Sequence, residues 1–126
     1  MKTPVSTGSA PSAIGPYSQG IKNQGTLYIS GQIGIIPGDT AIVQKRISEQ
    51  IDQVFANIVA ILSEAGTSLD DVLKLNIYLT DLANFDLVNK KMEQLFNPPY
   101  PARATVEVSC LPKGAIVEID AIAKCD

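Results

Sequence analysis

Arginine is scarce in this chain: the 126 residues contain two, Arg46 and Arg103. Arg103 follows Pro99-Tyr100-Pro101-Ala102, a stiff extended approach, and opens the alternating run RATVEVS. A planar guanidinium suits a bidentate grip on a carboxylate. The competing reading is an internal ion pair with Glu107 or Glu118, because long charged side chains are rarely buried unpaired. Glu118 lies between Val117 and Ile119 in a second alternating run. A partly buried carboxylate there can position or deprotonate a water; the same pattern also fits an exposed place on a polar face. Tyr17 supplies an aromatic hydroxyl within AIGPYSQ, residues 13–19, which on its own reads as a turn. Ser30-Gly31-Gln32 puts a glycine inside a strand pattern, the mark of a bulge or of close approach by another group.

Other chemistries are excluded. The chain has no histidine, so Ser-His-Asp and Cys-His catalysis, histidine-ligated zinc and two-histidine RNA cleavage are absent. Cys110 and Cys125 match no metal or redox spacing and read as free thiols. No phosphate-binding glycine loop occurs. Catalysis here has to use carboxylates, arginine, hydroxyls, backbone groups or water. The net charge of −3 argues against nucleic acid as a partner, since such binding rests on neutralised phosphates. The polar N-terminus MKTPVSTGSAPS has no apolar leader, and no apolar run approaches the ~20 residues of a membrane helix. A soluble, cytoplasmic protein is expected, with residues 1–126 forming one domain.

The elements that must position these residues are legible from periodicity. Residues 26–35, TLYISGQIGI, alternate, with Leu27, Ile29, Ile33 and Ile35 on one side and Tyr28, Ser30 and Gln32 on the other. Pro37-Gly38-Asp39 then marks a turn. Val43, Ile47, Ile51, Val54, Phe55, Ile58, Leu62 and Ala65 recur at helical spacing, and Gly66 closes the helix. Residues 72–79 return to period two, with Leu73, Leu75, Ile77 and Leu79 as the apolar side. Asn84 is the expected N-cap of a second helix bearing Phe85, Val88, Met92, Leu95 and Phe96, stopped by Asn97-Pro98-Pro99. Strands at 103–109 and 115–123 follow, expected to pair as a hairpin with a longer loop. A short strand near Lys2 to Ser6 is also expected.

This order predicts two strand–helix–strand crossovers with both helices on one face of the sheet. Gathering the non-apolar sides assigns Tyr28, Ser30, Gln32, Lys74, Asn76, Tyr78, Arg103, Thr105, Glu107, Glu118 and Asp120 to the other face, with Ile116 and Ile122. So many uncharged or aromatic members favour a second copy of the chain over water as its cover.

Together these segments resemble the RidA/YjgF family, also called L-PSP or reactive-intermediate deaminases. The resemblance runs over nearly the whole chain: AIGPYSQ at 13–19, SGQI at 30–33, EAGTSLDDVLK, YLTDLANFDLVN at 78–89 and PARATVEVSCLPKGAIVEIDAIA at 101–123. It implies an α+β, chorismate-mutase-like single domain: a mixed sheet with two helices on one face, assembled as a homotrimer whose sheets form a central barrel. It implies hydrolysis of reactive 2-imino and enamino acids, such as 2-aminoacrylate or 2-iminobutyrate, to 2-keto acids and ammonia. No cofactor and no metal are implied, and the small ligand would sit in a cleft between subunits. By position, Arg103 resembles the carboxylate-binding arginine and Glu118 the residue associated with the attacking water. Tyr17, Ser30, Gly31 and Asn89 fall on pocket-lining positions. Thr105 stands where many members have cysteine, which removes a thiol route, and Met92 stands where some have tyrosine. The alternatives are a non-catalytic carboxylate-binding or chaperone-like module, and an endoribonuclease or translation inhibitor.

Overall fold

Burial of one stripe of a long helix organises the domain. In the computed structural model, which describes residues 1–42 and 46–126, helix α1 spans Ile47–Glu64 and buries Ile51, Val54, Phe55, Ile58, Ile61 and Leu62. Val43, expected on the same stripe, lies outside the described residues. The helix ends as its sequence dictates: Gly66 has φ +84°, its N–H bonds Ser63 O at 3.0 Å, and the Thr67 N–H bonds Leu62 O at 3.0 Å. This paired closure needs a left-handed residue after the helix, which glycine adopts without Cβ strain.

The stripe packs on a six-stranded sheet. Its strands are β1 (Thr3–Val5), β2 (Gly20–Asn23), β3 (Thr26–Gln32), β4 (Val72–Leu79), β5 (Ala102–Glu107) and β6 (Val117–Lys124). Their spatial order is β1-β2-β3-β6-β4-β5. Only β4 and β5 run parallel among the described pairs, so the sheet is mixed. Helix α2 (Phe85–Leu95) connects those two strands and buries Val88 and Met92 in the same core. Phe55 of α1 meets Phe96 edge-on, with ring centroids 6.1 Å apart. Both helices cover one face, as expected.

Two polar side chains inside α1 were not anticipated. Asn57, fully buried, donates to Ile33 O at 3.2 Å and Ile35 O at 3.0 Å. Gln50 Oε1 accepts from the Ile116 N–H at 3.0 Å. They add partners for irregular backbone just beyond β3 and just before β6, outside the ladders of the six-stranded sheet.

Several sequence expectations are corrected. Strands β5 and β6 form no hairpin: β6 inserts between β3 and β4, and β5 lies beyond β4 at the sheet edge. Strand β2, absent from the sequence reading, pairs with β1 and β3. Asn84 makes no side-chain cap; Asp81 accepts the Ala83 N–H instead and starts a short 3-10 turn, Leu82–Asn84, that feeds α2. Leu73 faces solvent, 53% exposed, because a register shift between Val72 and Lys74 inserts one extra residue.

Candidate active site

A second register shift shapes the first half of the site. Ile29 pairs with Ala121 and Gln32 with Ile119, so Ser30 and Gly31 together oppose Asp120. This bulge reverses the parity beyond it: Gln32 turns inward and is buried, contrary to the simple alternation. Gly31 comes against the side chain of Glu118. A Cβ on Gly31 would lie 2.5 Å from Glu118 Oε2 and 2.9 Å from its Cδ. The glycine marks both a bulge and a close approach, and the approaching group is the carboxylate itself.

Glu118 and Gly31 line a cleft of about 350 Å³. Ile14, Tyr17, Ile33 and Ile35 supply walls, with Lys113 at the same cleft. The Glu118 carboxyl titrates above the ordinary carboxylate range, chiefly because burial disfavours its charge and secondly because Asp120 repels it. Asp120 is held in place: Asn76 Nδ2 donates to one oxygen at 2.8 Å and the Tyr78 hydroxyl to the other at 3.0 Å. The bond to Asp120, then burial, raises the Tyr78 pKa in turn.

The second half lies elsewhere. In the parallel β4–β5 pair, Arg103, Thr105 and Glu107 are in register with Leu75, Ile77 and Leu79, which are buried core residues. The three polar residues therefore occupy the helix-covered face, not the face of Glu118. Arg103 donates to Asn89 Oδ1, reaches Met92 Sδ at 3.5 Å, and its guanidinium carbon lies 4.8 Å from the Phe85 ring centroid. Among the described residues Arg103 has no ion pair; the two present join Arg46 to Glu49 and Lys91 to Asp52. The internal pair with Glu107 or Glu118 is thus not formed. Glu107 instead accepts the Leu82 N–H at 2.9 Å. Arg103 and Asn89 line a hollow of about 300 Å³ with Tyr100.

Edge geometry adds a donor to this half. The Val108 N–H bonds Leu79 O at 2.8 Å. With a period of two along β5, the N–H groups of Arg103, Thr105 and Glu107 point away from β4 toward the open edge. Thr105 Oγ1 is itself buried and has no hydrogen-bond partner.

The sequence-predicted residues therefore fall into two sets. Tyr17, Gly31 and Glu118 line one cleft, with Ser30 beside it; Arg103 and Asn89 line another hollow, with Thr105 next along the strand. Strand β4 separates them: Arg103 is in register with Leu75, and Leu75 with Ala121, three residues from Glu118. Two strand spacings and three residues each span about 10 Å, and the side chains leave opposite faces. Sequence reasoning missed Gln19 and the Asn76–Tyr78–Asp120 cluster as structural supports. Gln19 sits at the end of AIGPYSQ, but no pattern there distinguishes a buried amide from an exposed one.

Comparisons with known proteins agree with this architecture. A family model described as Endoribonuclease L-PSP matches residues 7–125. A RutC family protein of Pyrococcus horikoshii is 48% identical over 98% of each chain. The human protein named 2-iminobutanoate/2-iminopropanoate deaminase is 42% identical over 94% of this chain and 87% of its own. The crystal structure of RidA from an Antarctic Psychrobacter superposes with a TM-score of 0.92 at 45% identity, covering 97% of this chain and 98% of that one. The chain belongs to this family, the Endoribonuclease L-PSP or RidA/YjgF proteins.

Proposed function

We propose that this protein hydrolyses reactive 2-imino acids and their enamine tautomers to 2-keto acids and ammonia. Arg103 carries the reading: it is a guanidinium oriented by neutral partners, Asn89 and Phe85, with its charge uncompensated. Such a group is prepared for a ligand carboxylate. The outward N–H of Thr105 adds a second donor on the same edge. Glu118 orients a water toward the imine carbon. Water adds across the protonated C=N bond, a proton passes to nitrogen, and the carbinolamine collapses to C=O with loss of ammonia. The gain comes from positioning and electrostatics. Ile14, Ile33 and Ile35 suit a short apolar side chain on the substrate.

This mechanism needs two copies. Within one chain Arg103 and Glu118 face opposite ways across a strand, too far apart to share a four-carbon substrate. In the homotrimer that we propose, the Arg103 edge of one copy closes over the Glu118 cleft of the next. Exposed apolar side chains on the outer face of the sheet, Tyr28, Leu73 and Val106, support such an assembly. The chemistry asks for no cofactor, and the free thiols fit a cytoplasmic setting.

The test is a coupled assay in which a dehydratase generates 2-iminobutyrate and keto acid release is followed. Wild-type protein should accelerate release, and Arg103→Ala should lower kcat/KM by about a hundredfold or more. Unchanged turnover in a folded Arg103→Ala protein would refute the assignment. A ribonuclease activity would require RNA cleavage that a Glu118→Gln substitution abolishes.

A further inference from the structure

One buried side chain braces the wall of the Glu118 cleft without taking part in the chemistry described above. Gln19 is 3% exposed and fully engaged with backbone. The Thr7 N–H donates to its Oε1 at 2.7 Å, and its Nε2 donates toward the carbonyls of Thr7 (3.0 Å), Ala10 (3.3 Å) and Pro11 (2.8 Å). Two amide hydrogens serve three acceptors, so one is shared. These bonds pin residues 7–11, which have no sheet partner, and with them the start of the strap that carries Ile14 and Tyr17 over the cleft.

The same residue reaches the other wall. The Gln19 carbonyl accepts the Ser30 N–H at 3.0 Å, and the Ser30 hydroxyl donates to Ser18 O. Ser30 is the first residue of the bulge whose second residue, Gly31, lies against Glu118. The backbone of residues 18–19 therefore registers the bulge, while the Gln19 amide fixes the strap. Both walls beside the carboxylate are referred to residues 18–19, the bulge through their main chain and the strap through the Gln19 amide.

We infer that Gln19 is a positioning residue: it sets the strap and the Ser30–Gly31 bulge so that Glu118 is held and shielded in its cleft. The inference rests on the deaminase reading for what Glu118 does. It gives the buried amide a role in a loop that could close around an apolar side chain. It also has a consequence in pH dependence. Burial is the main cause of the raised Glu118 pKa, and the strap is one of the walls that exclude water. The ionisable groups around Glu118 are Asp120 on its own strand, Tyr78 opposite on β4, Tyr17 on the strap, Lys113 on the preceding turn and, in the proposed assembly, Arg103 of the neighbouring copy. None of them is altered by changing Gln19.

The experiment compares wild type, Gln19→Met and Gln19→Asn in 2-iminobutyrate turnover across pH. Gln19→Met keeps length without hydrogen bonds; Gln19→Asn keeps a neutral amide but is one methylene too short to hold residues 7–11. Both should lower kcat/KM by about tenfold or more, chiefly in kcat, and move the acid limb to lower pH as water reaches Glu118. A solely structural role would leave the limb unmoved. Wild-type kinetics and an unmoved limb in either folded variant would overturn the inference, and Gln19→Asn carries the test if Gln19→Met does not fold. Wild-type protein without turnover would defeat the deaminase reading instead. Gln19 is then judged by binding of 2-ketobutyrate: affinity about tenfold weaker in the variants supports it, and equal affinity overturns it.

Discussion

Glu118 owes its surroundings to what its neighbours lack. Gly31 has no side chain, so the carboxylate lies against backbone; a methyl group there would displace it. Gly31→Ala should leave the fold intact, since the clash falls on the end of a flexible side chain, and lower kcat/KM by about a hundredfold. Thermal unfolding and turnover measured on one preparation check both halves of that statement. Asp120 acts through charge. It raises the Glu118 pKa, so the base form is lost on acidification at a higher pH than an isolated carboxylate would show. Asp120→Asn removes that repulsion and should shift the acid limb of kcat/KM downward, burial still holding it above the ordinary position. A limb that stays in place would show that Asp120 does not act on the Glu118 carboxyl. At this scale the sequence was informative: a scarce arginine, a carboxylate between apolar neighbours and a glycine within a strand were each visible. The reach of Gly31 toward Glu118 was not, because it depends on a cross-strand register.

Elements explain why the two key residues separate. Alternation in β5 was legible, with Ala104 and Val106 on one side and Arg103, Thr105 and Glu107 on the other. The apolar side was expected to face the core, yet here it faces outward. Strand β5 is an edge, and its inner face meets α2 and the 82–84 turn, where Asn89 and the Leu82 N–H partner the polar residues. Register with β4 decided the orientation, and register is non-local. The expected hairpin failed similarly: adjacency in sequence favours adjacency in space, but β6 finds two partners between β3 and β4. The helix ends were legible where glycine was required. Gly66→Ala should cost about 1 kcal/mol, read as a lower denaturation midpoint with unchanged turnover per folded molecule.

At the scale of the molecule, one sheet face carries no helix among the described residues. Tyr28, Leu73 and Val106 are 50%, 53% and 46% exposed there or at its margin, amid the ordered Asn76–Tyr78–Asp120 cluster. A one-sided two-layer domain was foreseeable from two crossovers. That Arg103 and Glu118 leave opposite faces was not, and it turns the assembly from a packing question into a catalytic one. In the assembly that we propose, one copy supplies the arginine and another the glutamate. Arg103→Ala and Glu118→Ala proteins, each expected to be inactive alone, should be co-refolded into mixed trimers. Random mixing reunites an intact Arg103 with an intact Glu118 at roughly a quarter of the interfaces, so about a quarter of wild-type turnover should return. Mixed trimers that form and remain inactive would contradict a site shared between copies.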